Sequence, residues 1–410
     1  MKAEVWNYKI IKGTARGTAA APPSKSAAHR MLLCAGFSRG ESAIRGISDN
    51  EDVCATVDCL TALGAEIERA GDTLRTRGCV PEGADPITLP CRECGSTLRF
   101  LIPPALLRTG ETHFIGSPTL FARPLIVYDA LCRERGLTFD LHETSLTVRG
   151  RLECGAFTVP GNVSSQFVSG LLFALPMVKG ESRLCVTPPV ESRPYIDMTL
   201  ETIRRFGIDV REAQENVFVI PGGQTYRSGD YTVEGDWSNA AFLDALNLFG
   251  GSVTVTGLRT DSLQGDKVYR DYFAALDAGH PVLDLSDCPD LGPVCMAVAA
   301  AKHGATFHGT RRLRIKESDR CDAMARELIK CGVTCDIGDD TMEIPGGMLH
   351  APDVPLYGHN DHRIVMALSV LLTLIGGSIE GAEAVRKSFP DFFKRLSLLG
   401  IEVQKNGMDS

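Results

Sequence analysis

A helix, a glycine and a short strand recur together six times along this chain of 410 residues. The glycines are Gly64, Gly136, Gly207, Gly279, Gly332 and Gly400, spaced about 70 residues apart with one interval of about 50. A glycine closing an apolar-periodic helix is a C-cap signal, because it turns the chain where a Cβ would clash. A second pattern keeps the same phase: strands begin at Gly40, Gly110, Gly180, Gly251, Gly304 and Gly376, each after an apolar helix. Each unit reads helix, strand, helix, strand, strand. The Gly279 unit lacks its last strand, which accounts for the short interval. The period exceeds the roughly 20–50 residues of common solenoids, and the short interval splits the set. The prediction is an α/β (α+β) chain of two lobes with three units each. Lobe II spans 21–234. Lobe I combines 235–410 with 1–20, including a strand from Val5 to Ile11.

Six equivalent helix openings matter chemically, because a helix N-terminus presents free N–H groups and the positive end of a dipole. They read PPSKSAAHR, ECGSTLRF, PGNVSSQF, EGDWSNAAF, CPDLGPV and GHNDHRIV. Basic residues gather at the same phase: Lys25, Arg30, Arg99, Arg123, Arg193, Arg314, Lys316, Arg320, Arg363 and Lys387. The whole chain is nevertheless acidic, with 43 Lys and Arg against 51 Asp and Glu and a net charge of −8. That balance gives no general attraction for nucleic acid or anionic membranes, so a cationic site has to be local. Arginine matches phosphate and carboxylate by bidentate hydrogen bonds. The expected ligand is small, with several such groups. Asp290, Glu317, Asp319, Asp361 and His362 stand among the cations as acid–base candidates, and as N-caps or ion-pair partners they have a purely structural alternative.

Other classes are poorly matched. P-loop, dinucleotide-binding and nucleophile-elbow motifs are missing. Met1 to Lys12 has no apolar run suited to a signal peptide. The segment Ile364 to Ile375 would span about 18 Å as a helix, short of a bilayer core of about 30 Å. Many of the 14 cysteines lie in apolar helical patterns, for example Cys34, Cys59, Cys295 and Cys331. That usage suits reduced thiols in a cytoplasm. Cys91 and Cys94 form a lone CxxC, so no metal is expected.

In order along residues 22–393, PPSKSAAHR, CGSTLRF, FARPL, GNVSSQFVSGLLFALP, ESRPYIDMTL, QGD, CPDLGP, RIKESDR, NDHRIVMALS and KSFPDFF resemble the serial motifs of the EPSP synthase (3-phosphoshikimate 1-carboxyvinyltransferase) family. The resemblance implies an inside-out barrel of six βαβαββ repeats, with the active site in the cleft between lobes. It implies transfer of the enolpyruvyl group of phosphoenolpyruvate (PEP) to the 5-hydroxyl of shikimate 3-phosphate, in aromatic amino acid and chorismate biosynthesis. No cofactor, metal, nucleic acid or membrane is implied, and the expected state is a cytoplasmic monomer. By resemblance Lys25 spans both substrates. Ser26, Arg30, Ser164, Ser165, Gln166, Ser192 and Lys316 hold shikimate 3-phosphate, and Asp290 holds its hydroxyls and acts as base. Gly95, Arg123, Gln166, Arg320, Arg363 and Lys387 grip PEP. Glu317 and Lys387 are both candidates for proton donation. Glu93 and Arg312 each stand where the family often has Asn. Gly95 leaves backbone room beside PEP, so inhibition by glyphosate is expected.

Two alternatives are weighed. The sister UDP-N-acetylglucosamine enolpyruvyl transferases typically open with Lys-Asn and carry a Cys before their Arg-Pro. Here the corresponding opening is Ser24-Lys25-Ser26, and Glu111 to Arg123 has no Cys. A non-catalytic binder of phosphorylated metabolites would need no Asp290, Glu317 and Lys387 together.

Overall fold

The six helix openings all start helices in the computed structural model, which describes residues 5–405. The helices are Lys25–Phe37, Gly95–Ala105, Ser165–Ala174, Trp237–Leu248, Gly292–Ala301 and His362–Ile375. Small and polar residues at their caps explain the starts. Ser24, Ser164, Asp236 and Asp361 each accept a backbone N–H of the first turn. Beyond the caps these helices are apolar nearly all round, as a helix enclosed on every side must be. Gly292–Ala301 buries every residue except Ala301.

Gly95–Ala105, Ser165–Ala174 and Gly292–Ala301 are each bracketed by two parallel strands, and a hairpin completes the sheet. In the second unit Ile87–Arg92 pairs parallel with Thr112–Gly116, which pairs antiparallel with Ser145–Arg149, and Thr138–Leu141 forms the edge. The third and fifth units repeat this order. The first closes with a distant strand: Asp230–Thr232 pairs parallel with Glu41–Arg45. The sixth takes its third strand from the start of the chain, where Tyr8–Ile10 lies between Gly377–Glu380 and Val403–Lys405. The fourth unit has only Arg16–Ala20 and Ser252–Thr256, paired parallel. The strand at Arg16–Ala20 gave no sequence signal, since RGTAA has no apolar alternation. Among the repeat glycines, Gly64, Gly136, Gly207, Gly332 and Gly400 adopt positive φ. Gly279 is extended at φ 172°, and its unit continues without a hairpin. Among the described residues the fold is thus mixed α/β with six sheets.

The chain divides into two compact units, Met1–Pro22 with Gly235–Ser410, and Pro23–Glu234. Residues 1–4 and 406–410, assigned above to lobe I, lie outside the described residues. Each unit has its own apolar core. In one, Gly292–Ala301 packs on His362–Ile375. In the other, Gly95–Ala105 packs on Ser165–Ala174. Among the described residues no helix is long and apolar enough to cross a membrane.

Candidate active site

In the unit containing residues 235–405, the chemistry centres on Asp290, in the tight turn Pro289–Leu291 that leads into Gly292–Ala301. Its Oδ1 accepts from Arg320 Nη1 at 2.9 Å, its Oδ2 accepts from Arg363 Nη2 at 3.2 Å, and Lys316 Nζ lies 3.9 Å away. Burial alone would raise this carboxyl. Arg363, Lys316 and Arg320 outweigh it and hold Asp290 well below the usual carboxylate range. Burial first, then Arg312 and Arg320, lower Lys316 to about 7 despite the attraction of Asp290. Arg320, 1% exposed, opens the helix Arg320–Ile329 and also donates to Glu317 Oε2 and Asp361 Oδ2, each at 2.9 Å. Burial opposes its charge, and Asp361, Glu317 and Asp290 more than restore it.

Asp361 is fully buried and serves two elements. It caps His362–Ile375 through Arg363 N at 2.9 Å and accepts Arg320 and Ser318. Arg363 Nη1 donates to Asn239 Oδ1 at 3.0 Å. Lys387 Nζ donates to both oxygens of Asn360, its carbonyl at 2.7 Å and its side chain at 2.9 Å.

In the unit Pro23–Glu234, Lys25 begins its helix and pairs with Asp52 at 2.8 Å. Arg30 is buried and donates to Thr199 Oγ1 and to the carbonyls of Ser26 and Tyr195. Ser164 caps Ser165–Ala174 through Gln166 N at 3.3 Å. Gln166 accepts from Arg99 Nη1 and donates to Ser96 Oγ, both at 2.8 Å. Arg99 also donates to the Pro124 carbonyl at 3.0 Å, tying Gln166 to the loop of Arg123. Ser192, 1% exposed, sits in the left-handed region before Arg193–Arg205. Gly95 matters for its missing side chain: a Cβ there would lie 2.5 Å from Arg123 Nη1 and 2.8 Å from its Cζ. Glycine therefore lets that guanidinium rest against the start of Gly95–Ala105.

His29, Asp52 and Cys94 come within 4.8 Å of one another, the one group of metal-ligand types among the described residues. Lys25 already occupies Asp52. His29 Nδ1 pairs with Thr56, and burial lowers the imidazole to about 3, so it stays neutral at ordinary pH.

Of the basic residues at the repeat phase, Lys316, Arg320, Arg363 and Lys387 gather in one unit, and Lys25, Arg30, Arg99 and Arg123 lie in the other. Arg193 instead bonds Asp197, Glu212 and Asn216, and Arg314 bonds the Gly338 carbonyl. Sequence reasoning missed Asp52, Asn239 and Asn360. Asn239 lies in the opening EGDWSNAAF, a signal of place without one of role. Nothing marked Asp52, which reaches Lys25 from a different helix.

Residues 11–396 match the family described as EPSP synthase (3-phosphoshikimate 1-carboxyvinyltransferase). A protein of that name from Clostridium novyi is 38% identical over 96% of this chain and 97% of its own. One from Clostridium beijerinckii is 36% identical with the same coverage. The EPSP synthase structure from Acinetobacter baumannii aligns with a TM-score of 0.76 and 21% identity, covering 97% of this chain and all of that one.

Proposed function

The chain belongs to the EPSP synthase family, and from that premise we propose that it moves the enolpyruvyl group of PEP onto the 5-hydroxyl of shikimate 3-phosphate, releasing phosphate. Asp290 carries the reading: one carboxylate held by Arg320, Arg363 and Lys316. As a base it is weak while those cations hold it. Anionic substrates would draw the cations to themselves, and the proton affinity of Asp290 would then rise where a hydroxyl proton must be taken.

The steps follow. Asp290 accepts the 5-hydroxyl proton as that oxygen bonds to C2 of PEP. C3 gains a proton and becomes a methyl group, giving a tetrahedral intermediate. The C2–O bond to phosphate then breaks, a C3 proton returns to the group that supplied it, the proton held by Asp290 leaves with the phosphate, and the enol ether and inorganic phosphate remain. Electrons and protons balance with side chains alone. Lys387 is assigned the C3 proton. Its ammonium has protons to give, whereas Glu317 acts as an acceptor for Arg320. Arg123, Arg320, Arg363 and Gly95 with Gln166 would grip PEP. Ser26, Arg30, Ser164, Ser165, Gln166, Ser192 and Lys316 would hold shikimate 3-phosphate, and Lys25 would touch both. Positioning of the two substrates supplies much of the acceleration. Fourteen free cysteines support a reducing cytoplasm, and we assign a monomer.

The test is phosphate release from PEP by the purified protein, with and without shikimate 3-phosphate. Release should depend on shikimate 3-phosphate, and Asp290→Ala should lower kcat by about 100-fold or more with little change in KM. Release with UDP-N-acetylglucosamine instead would move the protein to the sister activity. No release with either would leave a binder.

A further inference from the structure

Glu327 is used by nothing in the scheme above, yet it is 2% exposed and anchors the loop on which Lys387 depends. It lies seven residues after Arg320, two turns along the same face of Arg320–Ile329. Its Oε1 accepts from His359 Nε2 at 2.8 Å. Its Oε2 accepts from Tyr357 N at 2.9 Å and from Lys330 Nζ at 2.7 Å. Burial disfavours this carboxylate, but His359, Lys330 and the Tyr357 amide lower it on balance. The segment it grips then turns twice through the left-handed region, with φ 50° at His359 and 52° at Asn360. Consecutive non-glycine residues rarely adopt that conformation, and they persist only where surrounding contacts hold them. The turn aims the Asn360 carbonyl and side-chain oxygen at Lys387, and the next residue, Asp361, holds Arg320 and Arg363.

We propose that Glu327 is a positioning residue: through His359 it holds the His359–Asn360 turn, and through that turn it sets the place of the Lys387 ammonium. The role of Lys387 in turnover rests on the reading above; the clamp itself does not. Both are tested with Glu327→Gln and His359→Phe, beside His359→Gln, whose amide can still donate to Glu327. Turnover and the nitrogen signal of Lys387, in protein carrying 15N-lysine and identified with Lys387→Ala, are read together. Glu327→Gln and His359→Phe should each lower kcat about 10- to 100-fold, with KM for shikimate 3-phosphate little changed. Both should shift the Lys387 signal, and His359→Gln should restore most of both. Circular dichroism confirms that the compared samples are folded. An unmoved Lys387 signal in the folded variants overturns the clamp whatever the activity. A moved signal with undiminished turnover in Lys387→Ala leaves the clamp standing and removes only the proton donor.

Discussion

At Gly95 the missing side chain does chemical service, because the space beside its Cα belongs to the Arg123 guanidinium. In Gly95→Ala the far end of Arg123 can swing away, so the fold should survive while the grip on PEP weakens. The expected result is a raised KM for PEP and an unchanged melting temperature; steady-state kinetics and thermal melts check it. Asp290→Asn leaves Arg320, Arg363 and Lys316 crowded around an uncharged group. The variant should be less stable by about 3–5 kcal/mol, and added phosphate should recover more stability in it than in the parent, as thermal melts would show. Lys316 gives a pH signature. Its folded value of about 7 lies below the ordinary 10.5, so between those values the unfolded chain binds more protons. Stability from this group therefore rises with pH across that window, and the cost of its charge is fully present below about 7. Lys316→Met should flatten the rise in melting temperature between about pH 7 and pH 10. The cations at this scale were legible because the repeat marks their phase. Their partners were not: Arg363 finds Asn239 across 124 residues of chain, a contact that no local pattern encodes.

The helices Gly95–Ala105 and Ser165–Ala174 meet at a glycine. A Cβ on Gly170 would lie 2.6 Å from the Arg99 carbonyl and collide with the Tyr128 hydroxyl. Gly170→Ala forces these elements apart and disturbs the Arg99–Gln166 hydrogen bond. The variant should lose about 1–3 kcal/mol in urea unfolding, and its KM for PEP should rise. Element boundaries were the readable part of this scale. Caps such as Ser24 and Asp361, and the apolar runs behind them, announce each buried helix. Arg16–Ala20 was not readable, because it is a strand only by virtue of its neighbour Ser252–Thr256. The αL turn at His359–Asn360 was equally hidden. Neither residue is glycine, and the cause lies on another helix, in Glu327.

Over the whole molecule, the periodicity marks the six units and the short fourth member. What it could not give was which strand completes which sheet. In the unit Pro23–Glu234 the last strand, Asp230–Thr232, closes the sheet begun at Glu41–Arg45. A fragment of residues 23–234 should therefore unfold cooperatively on its own, whereas one ending at residue 228 leaves that sheet edge open and should melt earlier. Circular dichroism against urea distinguishes them.

The other unit keeps a different calendar. Tyr8–Ile10 is synthesised before residues 23–234, yet its hydrogen-bonding partners are Gly377–Glu380 and Val403–Lys405. Until residues 377–405 are made this strand lacks those partners, while everything needed by residues 23–234 has already emerged. Synthesis from N- to C-terminus thus imposes an order on assembly: the inserted unit can close first, and the unit that carries Asp290 and Lys387 can close only after Lys405 has been made.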